Sequence, residues 1–441
     1  MTAPPGTGFA GALCNTRRAG LVVVQPRMGF AEPSAMRAGL VAVRDARATT
    51  VGTITLDSYT RVGDLHSARA AVRTRTGLNG YPLCTHPDDT TRSMLSEVHR
   101  PGFPIQIRHG SARPGHIIEA MARIGLDATE GGPVSYCLPY GRTPLRSAIS
   151  EWAAACDRLA EMSTPERPAH LESFGGCMLG QMCPPSLLVA IAVLEGLFFA
   201  QHGVPSISLS YAQQTQPEQD LEALAALRRL IGELLPDRDV HVVLYTYMGV
   251  FPRTRGGSFA LLEESARIAV FGGAERLIVK TVMESIRIPD VADNVAAVER
   301  AEREVRRSQQ MRAAGRHPWT PSESGLYEEA RTMIDMVRSL APDLGTALHI
   351  AFRRGLLDVP YCLHPDTHGR TRSRVGPDGR LEWAHAGSLP IDGPRPAGHA
   401  VGAQELTSML NYVADRFDSA AVAVRSSVAG PRTTADLPPK R

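Results

Sequence analysis

The sequence has few of the features that mark nucleic-acid-binding, nucleotide-binding or metal-binding proteins. Its 48 basic and 45 acidic residues leave a formal net charge of only +3, which is not the pattern of a nucleic-acid-binding protein. The seven cysteines form no CxxC pair and no cysteine–histidine zinc spacing, so we expect reduced thiols and no metal site. No GxGxxG motif follows the first predicted strand and no P-loop occurs, which disfavours a nucleotide-binding doubly wound sheet.

Long apolar runs are missing as well. The longest, from Ser186 to Ala200, is interrupted by Glu195 and is too short to span a bilayer. The first twenty residues have no basic segment followed by an apolar one, the pattern of a secretory signal peptide. With 43% hydrophobic residues the composition is that of a globular protein, and we expect it to be cytoplasmic with no membrane segment.

Lysine is nearly absent, since only Lys280 and Lys440 stand among the 48 basic residues. The preference for arginine indicates GC-rich coding rather than a function. It does make Lys280 noticeable, because this lysine ends a predicted apolar strand. Such a position is typical of a Schiff-base lysine, but Lys280 and Glu284 equally suit the hydroxyls of a sugar or a structural ion pair.

Short β-rich segments alternate with amphipathic helices through the first 320 residues. Helical spacing is clear at Leu221–Leu235, Ala260–Phe271 and Val291–Arg312. This alternation predicts a parallel sheet with helices outside, and nine strand candidates, two of them weak, bracket the eight of a barrel. We therefore predict a (β/α)8 TIM barrel over residues 1–320. The candidates are Leu21–Gln25, Gly52–Asp57, Asn79–Leu83, Pro104–Arg108, Asp127–Glu130, His170–Phe174, Ser206–Tyr211, His241–Thr246 and Arg276–Thr281.

The alternation ends near residue 320, and residues 321–441 are predicted to form a helical and irregular C-terminal extension. Ser322–Leu340 has the pattern of one more helix. Asp358–His399 is rich in glycine, proline, histidine and arginine, which favours an irregular cap or an oligomer contact. Gly430–Arg441 carries three prolines and is predicted to be a disordered tail.

Three arginines, Arg27, Arg61 and Arg108, lie at or just after the ends of predicted strands. In a barrel the carboxyl ends of all strands meet at one rim, where catalytic residues lie. The guanidinium group offers a planar fork of donors that matches a carboxylate or a phosphate. Three such forks predict a small dicarboxylate or phosphorylated substrate, with His109 placed to assist Arg108.

Glu130 ends the next predicted strand and is followed by two glycines, then by Tyr136 and Tyr140. Glycine lets the backbone approach a ligand closely. Glu130 suits a substrate ammonium, and the tyrosines suit hydrogen bonding to a ligand or enclosure of it. A simple turn with two packing tyrosines remains an equal alternative from this segment alone.

These stretches, taken in order, resemble the epsilon (catalytic barrel) subunit of glutamate mutase, also called methylaspartate mutase. Order and spacing agree from about residue 20 to 300, roughly two thirds of the chain. The matching stretches include QPRMG (25–29), LDSYTR (56–61), LNGYP (78–82), IQIRHG (105–110), EGGPVSYCLPY (130–140), ESFG (172–175), MGVFP (248–252) and FGGAERLIVKTVMESIRIP (271–289).

The resemblance implies an isomerase that interconverts L-glutamate and (2S,3S)-3-methylaspartate by a radical rearrangement. It implies adenosylcobalamin as cofactor, carried with its cobalt ligand by a separate small sigma subunit. A homodimer of the barrel subunit would form the core of a heterotetramer. The substrate would be a small amino-dicarboxylate, with no nucleic acid or membrane involved.

The resemblance also implies roles for particular residues. Arg27, Arg61 and Arg108 would hold the substrate carboxylates, with Asn79 and His109 beside them. Glu130 would contact the substrate amino group, and Tyr136 and Tyr140 would complete the catalytic pocket. Lys280 and Glu284 would hold the ribose hydroxyls of the adenosyl group, with Phe174 and Met248 facing the cofactor.

The sequence departs from the family pattern near the expected cofactor or subunit interface, including Thr246 in place of glutamine and Tyr247 in place of tryptophan. Tyr245 and Met283 stand where the family has histidine, Pro133 where it has glycine and Cys137 where it has asparagine. These changes bear on partner fit and turnover more than on substrate class. Two alternatives therefore stay open: a Schiff-base lyase or aldolase that uses Lys280, and a non-catalytic dicarboxylate-binding paralogue.

Overall fold

The computed structural model describes residues 8–75, 77–139, 141–174, 182–320, 323–391 and 401–428, with the backbone alone for 422–428. Eight parallel strands form one sheet in the order β1-β8-β7-β6-β5-β4-β3-β2. The strands are β1 Val23–Pro26, β2 Gly52–Thr55, β3 Ile105–Arg108, β4 Ala128–Glu130, β5 His170–Glu172, β6 Ser206–Ala212, β7 Asp239–Tyr245 and β8 Arg276–Val279.

The two edge strands of this sheet, β1 and β2, meet through their flanking residues. The backbone N–H of Val24 donates to the carbonyl of Thr49 at 2.8 Å, and that of Thr55 donates to the carbonyl of Met28 at 2.8 Å. These bonds bring the edges together, and helices surround the sheet. The predicted (β/α)8 TIM barrel is confirmed.

The described residues form fourteen helices, most of them following a strand on the outside of the barrel. They are α1 Phe9–Arg18, α2 Pro33–Arg44, α3 Ser58–Val62, α4 Leu65–Thr74, α5 Asp88–Val98, α6 Gly115–Ile124, α7 Leu145–Glu161, α8 Pro185–Gln201, α9 Pro217–Leu234, α10 Arg255–Phe271, α11 Val291–Ala313, α12 Leu326–Leu340, α13 Leu344–Arg354 and α14 Ala403–Val428. The helices predicted from periodicity correspond to α9, α10, α11 and α12, the last beginning at Leu326.

Helix α1 closes the end of the barrel opposite the strand carboxyl ends. Phe9 and Leu13 pack with Val23 and Ala128 at the starts of β1 and β4. The ring centroid of Phe9 lies 5.0 Å from that of His170, the first residue of β5. With this end covered, the open mouth lies at the carboxyl ends of the strands.

The apolar run from Ser186 to Ala200 forms most of α8, and the structure explains its composition. A helix that is hydrophobic on all sides is stable only when it is enclosed. Helix α8 packs on β6 and α9 on one side and on α12 and α13 of the C-terminal region on the other. No described helix is long and apolar enough to cross a membrane.

The strand predicted at Asn79–Leu83 is wrong. This segment is a loop that touches the barrel through a single bridge between Leu56 and Tyr81. Gly80 has a φ of +124°, and a Cβ there would lie 2.5 Å from the carbonyl carbon of Leu56. The backbone thus lies flat against the end of β2, which a side chain at this position would prevent.

The C-terminal region is more regular than predicted. Within the segment expected to be irregular, β9 Arg372–Val375 and β10 Leu381–His385 form an antiparallel pair. Helix α14 then packs along α10, where the Arg416 guanidinium pairs with Glu264 and donates to the carbonyl of Thr215 at 3.2 Å. The predicted tail Gly430–Arg441 lies outside the described residues.

Candidate active site

Four side chains from four strands meet inside the mouth of the barrel: Arg108 of β3, Glu130 of β4, Glu172 of β5 and Tyr245 of β7. We call them the strand-end cluster. The parallel register places Glu130 beside Glu172. Arg108 Nη2 lies 3.0 Å from Glu130 Oε2, and Arg108 Nη1 donates to Tyr245 Oη at 3.2 Å. Tyr245 Oη lies 2.8 Å from Glu130 Oε2 and is also hydrogen-bonded to Glu172 Oε1.

A second buried arginine contacts Glu172 of the strand-end cluster from deeper in the barrel. Arg276 of β8 is fully buried and pairs with Glu172. It also donates to Gln25 Oε1 at 2.6 Å and to Gln106 Oε1 at 3.0 Å. Buried charges are costly unless they are paired and hydrogen-bonded, and each of the two buried arginines faces a glutamate within the barrel.

Burial controls protonation in the strand-end cluster. It raises the pKa of the Glu130 carboxyl, while the Arg108 charge opposes the rise and the Glu172 charge adds to it. Burial also raises the pKa of the Tyr245 hydroxyl well above its ordinary value, so the hydroxyl stays protonated. For Arg108, burial lowers the pKa, but Glu130 and the neighbouring tyrosines outweigh this effect and the guanidinium stays charged.

His109 is buried beside the cluster as a neutral imidazole. Burial lowers its pKa to about 3, and electrostatic interactions with His116, Arg61 and Arg108 act in the same direction. Its Nδ1 accepts the backbone N–H of Ser111 at 3.0 Å, which places the ring proton on Nε2. Within the described part of the chain, Nε2 is buried and has no hydrogen-bond partner, so it can donate to a ligand.

Aromatic side chains surround the cluster. Tyr136 donates a hydrogen bond to Glu130, and its ring lies 5.0 Å from that of Phe174, centroid to centroid. Phe174 in turn lies 4.9 Å from the ring of Tyr245 in an edge-to-face contact, and the Arg108 guanidinium carbon lies 5.5 Å from the centre of Phe174. These rings exclude water from the charged groups. Tyr140 lies outside the described residues.

The two glycines after Glu130 are required by close packing. Gly131 has a φ of +136°, and a Cβ there would lie 2.4 Å from the Trp152 ring. A Cβ at Gly132 would lie 2.2 Å from Oε1 of Glu195 in α8. Glu195 Oε1 accepts the backbone N–H groups of Val134 and Ser135, both at 2.9 Å, and so holds the segment that carries Tyr136.

A cavity of about 460 Å³ opens at the mouth between the segments that follow β1, β2 and β8. It is lined by Arg27, Arg61, Asn79 and Glu284, four of the residues predicted from sequence. Arg61 also approaches the strand-end cluster, because its side chain packs against Gly110, two residues after Arg108, where a Cβ would lie 3.5 Å from it. The three predicted arginines are therefore split, with Arg27 and Arg61 at the cavity and Arg108 deeper in the barrel.

Lys280 follows β8 and is buried at the mouth. Its Nζ lies 3.6 Å from Oε2 of Glu284 and 4.9 Å from the ring centre of Phe251. Met248 follows β7 and is half-buried against the main hydrophobic core. Glu284 thus connects the lysine to the cavity that Arg27 and Arg61 line.

The family is decided by the sequence comparison. The family model described as "Methylaspartate mutase E chain (MutE)" matches residues 3–399. The chain belongs to this family.

Curated relatives agree with the methylaspartate mutase family model. The chain is 27% identical over 400 residues to the glutamate mutase epsilon subunit of Desulfitobacterium hafniense, covering 88% of this chain and 82% of the relative. It is 28% identical over 414 residues to that of Escherichia coli O157:H7 (89% and 82%). For Halobacterium salinarum the identity is 29% over 402 residues (88% and 82%).

Sequence reasoning missed two members of the strand-end cluster, Glu172 and Tyr245. Glu172 lies within the ESFG stretch that matches the methylaspartate mutase family, and Tyr245 was noted only as a departure from it. The available signal was position, because both residues end a strand just as Arg108 and Glu130 do. Arg276 gave no such signal, since it begins its strand.

Proposed function

We propose that the chain is the substrate-binding barrel subunit of an adenosylcobalamin-dependent glutamate mutase, an isomerase that interconverts L-glutamate and (2S,3S)-3-methylaspartate. The observation that carries the proposal is the buried contact between Arg108 Nη2 and Glu130 Oε2, 3.0 Å apart at the strand ends. Family membership supports the reaction, and the pair supports the substrate class.

The Arg108–Glu130 pair matches the two charged groups of an amino acid. A substrate carboxylate can replace Glu130 at the Arg108 fork, and the substrate ammonium can replace Arg108 at Glu130. The exchange gives the Arg108 guanidinium a carboxylate and gives the substrate ammonium the Glu130 carboxyl, which a ligand without the amino group cannot do. Tyr136, already bonded to Glu130, would orient the carboxylate towards the ammonium, and Tyr140 stays a predicted member of this pocket.

The second carboxylate of the substrate would bind at the cavity. Arg27 and Arg61 both line it, and Asn79 adds an amide group. A volume of about 460 Å³ suits a small molecule. His109 adds a donor next to Arg108 in the chain, because its buried Nε2–H is available to an oxygen acceptor.

The residues at the mouth fit the adenosyl part of adenosylcobalamin. The Glu284 carboxylate lines the cavity and can accept hydrogen bonds from two neighbouring ribose hydroxyls, while Lys280 holds that carboxylate in place. Phe174 and Met248 are the apolar residues that we assign to the cofactor side. When bound, the cofactor supplies the radical that starts the rearrangement.

The chain's own residues then have three tasks. The arginines and Glu130 bind and orient the substrate, the aromatic rings exclude water, and the rigid strand ends prevent the reacting groups from drifting apart. The small cobalamin-carrying sigma subunit, the heterotetramer with its homodimer core and the cytoplasmic location stay predictions of the resemblance and the sequence.

The contact of Lys280 with Glu284 weighs against the Schiff-base alternative. A lysine must lose its proton to attack a carbonyl, and a carboxylate 3.6 Å away stabilises the ammonium. Borohydride added with a carbonyl substrate should therefore leave Lys280 unmodified. A trapped adduct at Lys280 would support the Schiff-base lyase or aldolase alternative.

The function is tested by reconstitution. The full chain is mixed with its cobalamin-binding sigma subunit, adenosylcobalamin and L-glutamate, and 3-methylaspartate is assayed while the paramagnetic resonance spectrum is recorded. We expect product together with a substrate-dependent radical signal. Glutamate binding without either would instead favour the non-catalytic dicarboxylate-binding alternative.

A further inference from the structure

The hydroxyl of Tyr245 contacts the three other members of the strand-end cluster. Oη accepts from Arg108 Nη1 at 3.2 Å, lies 2.8 Å from Glu130 Oε2 and is hydrogen-bonded to Glu172 Oε1. Tyr245 itself is 1% exposed, and Glu172 is fully buried. The hydroxyl is therefore the link between Glu130 and a carboxyl group deep in the barrel.

The number of protons at this link is limited. A tyrosine hydroxyl has one proton and donates to one acceptor at a time. Two carboxyl oxygens lie within hydrogen-bond distance of Oη, so both contacts are favourable only when one of the two carboxyls is protonated and donates to Oη. The set of Glu130, Tyr245 and Glu172 thus holds one shared proton in addition to the hydroxyl's own.

The surroundings place this shared proton on Glu130 when no ligand is bound. Glu172 pairs with Arg276 and accepts from Gln106 Nε2 at 3.1 Å, so donors from two side chains besides Tyr245 face its carboxyl. Glu130 faces Arg108, but burial and the neighbouring Glu172 charge raise its pKa. Both nearby histidines, His109 and His170, are kept neutral by burial, which lowers their pKa, and add no charge.

An arriving ammonium group reverses this preference, because it stabilises a charged Glu130. We propose that Tyr245 relays the shared proton from Glu130 to Glu172 when the substrate ammonium binds. This inference rests on the proposed function for the nature of the ligand. Tyr245 and Glu172 act through Glu130, so they are positioning residues rather than catalytic ones.

The step balances without any other reactant. The O–H bond of Glu130 breaks as its proton forms a new bond to Tyr245 Oη, and the original Oη–H bond breaks as that proton passes to Glu172 Oε1. Tyr245 ends as a neutral hydroxyl, Glu130 as an anion facing the ammonium and Glu172 as a neutral acid. No proton enters or leaves the barrel, and nothing is oxidised or reduced.

The relay is tested first by infrared difference spectroscopy of the full chain at neutral pH, using the C=O band of protonated carboxyl groups. Without ligand, we expect Glu130→Gln to remove one such band and Glu172→Gln to leave it in place. With L-glutamate bound, we expect Glu172→Gln to remove one band that the wild type shows and Glu130→Gln to remove none. The absence of any band lost between the ligand-free wild type and Glu130→Gln overturns the proposal.

Calorimetric titration with L-glutamate in two buffers of different ionisation enthalpy gives a second readout. The wild type should release no proton on binding, whereas Tyr245→Phe and Glu172→Gln should each release about one, because the proton of Glu130 must then leave the barrel. Tyr247→Phe is the matched control, since the Tyr247 hydroxyl is buried and has no hydrogen-bond partner within the described part of the chain.

The outcomes separate the relay from the proposed function. Weaker glutamate binding in Tyr245→Phe without proton release would assign the hydroxyl a purely structural role and overturn the relay. A wild-type chain that gives no binding heat with glutamate overturns the proposed substrate. In that case a C=O band that depends on Glu130 still supports the shared proton.

Discussion

At the scale of single residues, the account depends on the two donors that Arg108 directs at different partners. Nη2 pairs with Glu130 while Nη1 donates to Tyr245, a geometry that a point charge cannot reproduce. Arg108→Lys should therefore weaken glutamate binding by ~10- to 100-fold, measured by calorimetry. Arg146→Lys, at an exposed position of α7, is the control. Wild-type affinity in Arg108→Lys would remove this arginine from the substrate site.

Glu130 should determine selectivity for the amino group. Glu130→Gln keeps an acceptor for Tyr136 but removes the charge that would face an ammonium. We expect the preference for L-glutamate over glutarate, which lacks the amino group, to fall by about tenfold or more. Titrations of both ligands into the wild type and the variant measure this ratio. An unchanged ratio would place the amino group elsewhere.

The site residues predicted from the sequence differ from those that were missed in what determines their contacts. Arg108 and Glu130 were predicted because parallel strands bring their carboxyl ends to one rim. Tyr245 was not, because its contacts with Glu130 and Glu172 depend on which side chains turn inward and how far they extend across the barrel. Spacing along the chain was sufficient for Lys280 and Glu284, which are four residues apart and contact each other directly.

At the scale of elements, Glu195 ties α8 to the segment that carries Tyr136. Burial raises the pKa of its carboxyl from 4.5 to about 7. A group with a raised pKa in the folded state binds protons more tightly there than in the unfolded chain. Its contribution to stability is therefore complete below the unfolded pKa and is lost as the pH rises through the folded pKa.

Denaturant titrations can measure this contribution. Between pH 5 and 8 the free energy of unfolding should fall by up to ~3 kcal/mol because of this group. Glu195→Gln keeps the acceptor for Val134 and Ser135 and should remove most of that fall. Glu161→Gln, at an exposed position, is the control. An unchanged pH dependence in Glu195→Gln would show that the carboxyl does not ionise in this range.

The helices were predicted correctly where apolar residues repeat regularly at helical spacing. Helices α9, α10 and α11 were predicted because their apolar faces repeat at helical spacing. Strand β9 and its partner β10 were missed because glycine, proline and arginine dominate that segment and hide a short hairpin. Asn79–Leu83 was mistaken for a strand because its composition alone does not reveal the close approach of Gly80 to β2.

At the scale of the whole molecule, the C-terminal region supports the mouth of the barrel. Val413 and Phe417 of α14 pack with Tyr247, Phe251 and Leu261. Phe251 also lies against Lys280, so this cluster connects α14 to the proposed cofactor residues. The division into a barrel and an extension at residue 320 stays a prediction.

Removing the Phe417 ring should test whether α14 supports the proposed cofactor residues. Phe417→Ala should lower the free energy of unfolding by about 3 kcal/mol through the cavity that it leaves. The activity of the reconstituted enzyme should fall more at low than at saturating adenosylcobalamin, because the support of Lys280 is weakened. Phe417→Leu keeps most of the volume and should restore both quantities. Equal loss at all cofactor concentrations would separate α14 from the cofactor side.

The central claim is that an amino-dicarboxylate opens the Arg108–Glu130 pair and takes the place of each partner. A crystal structure of the full chain with L-glutamate tests it most directly. We predict one substrate carboxylate on the Arg108 fork, the ammonium on Glu130 and the second carboxylate between Arg27 and Arg61. Glutamate bound elsewhere, with the Arg108–Glu130 pair intact, would contradict the account.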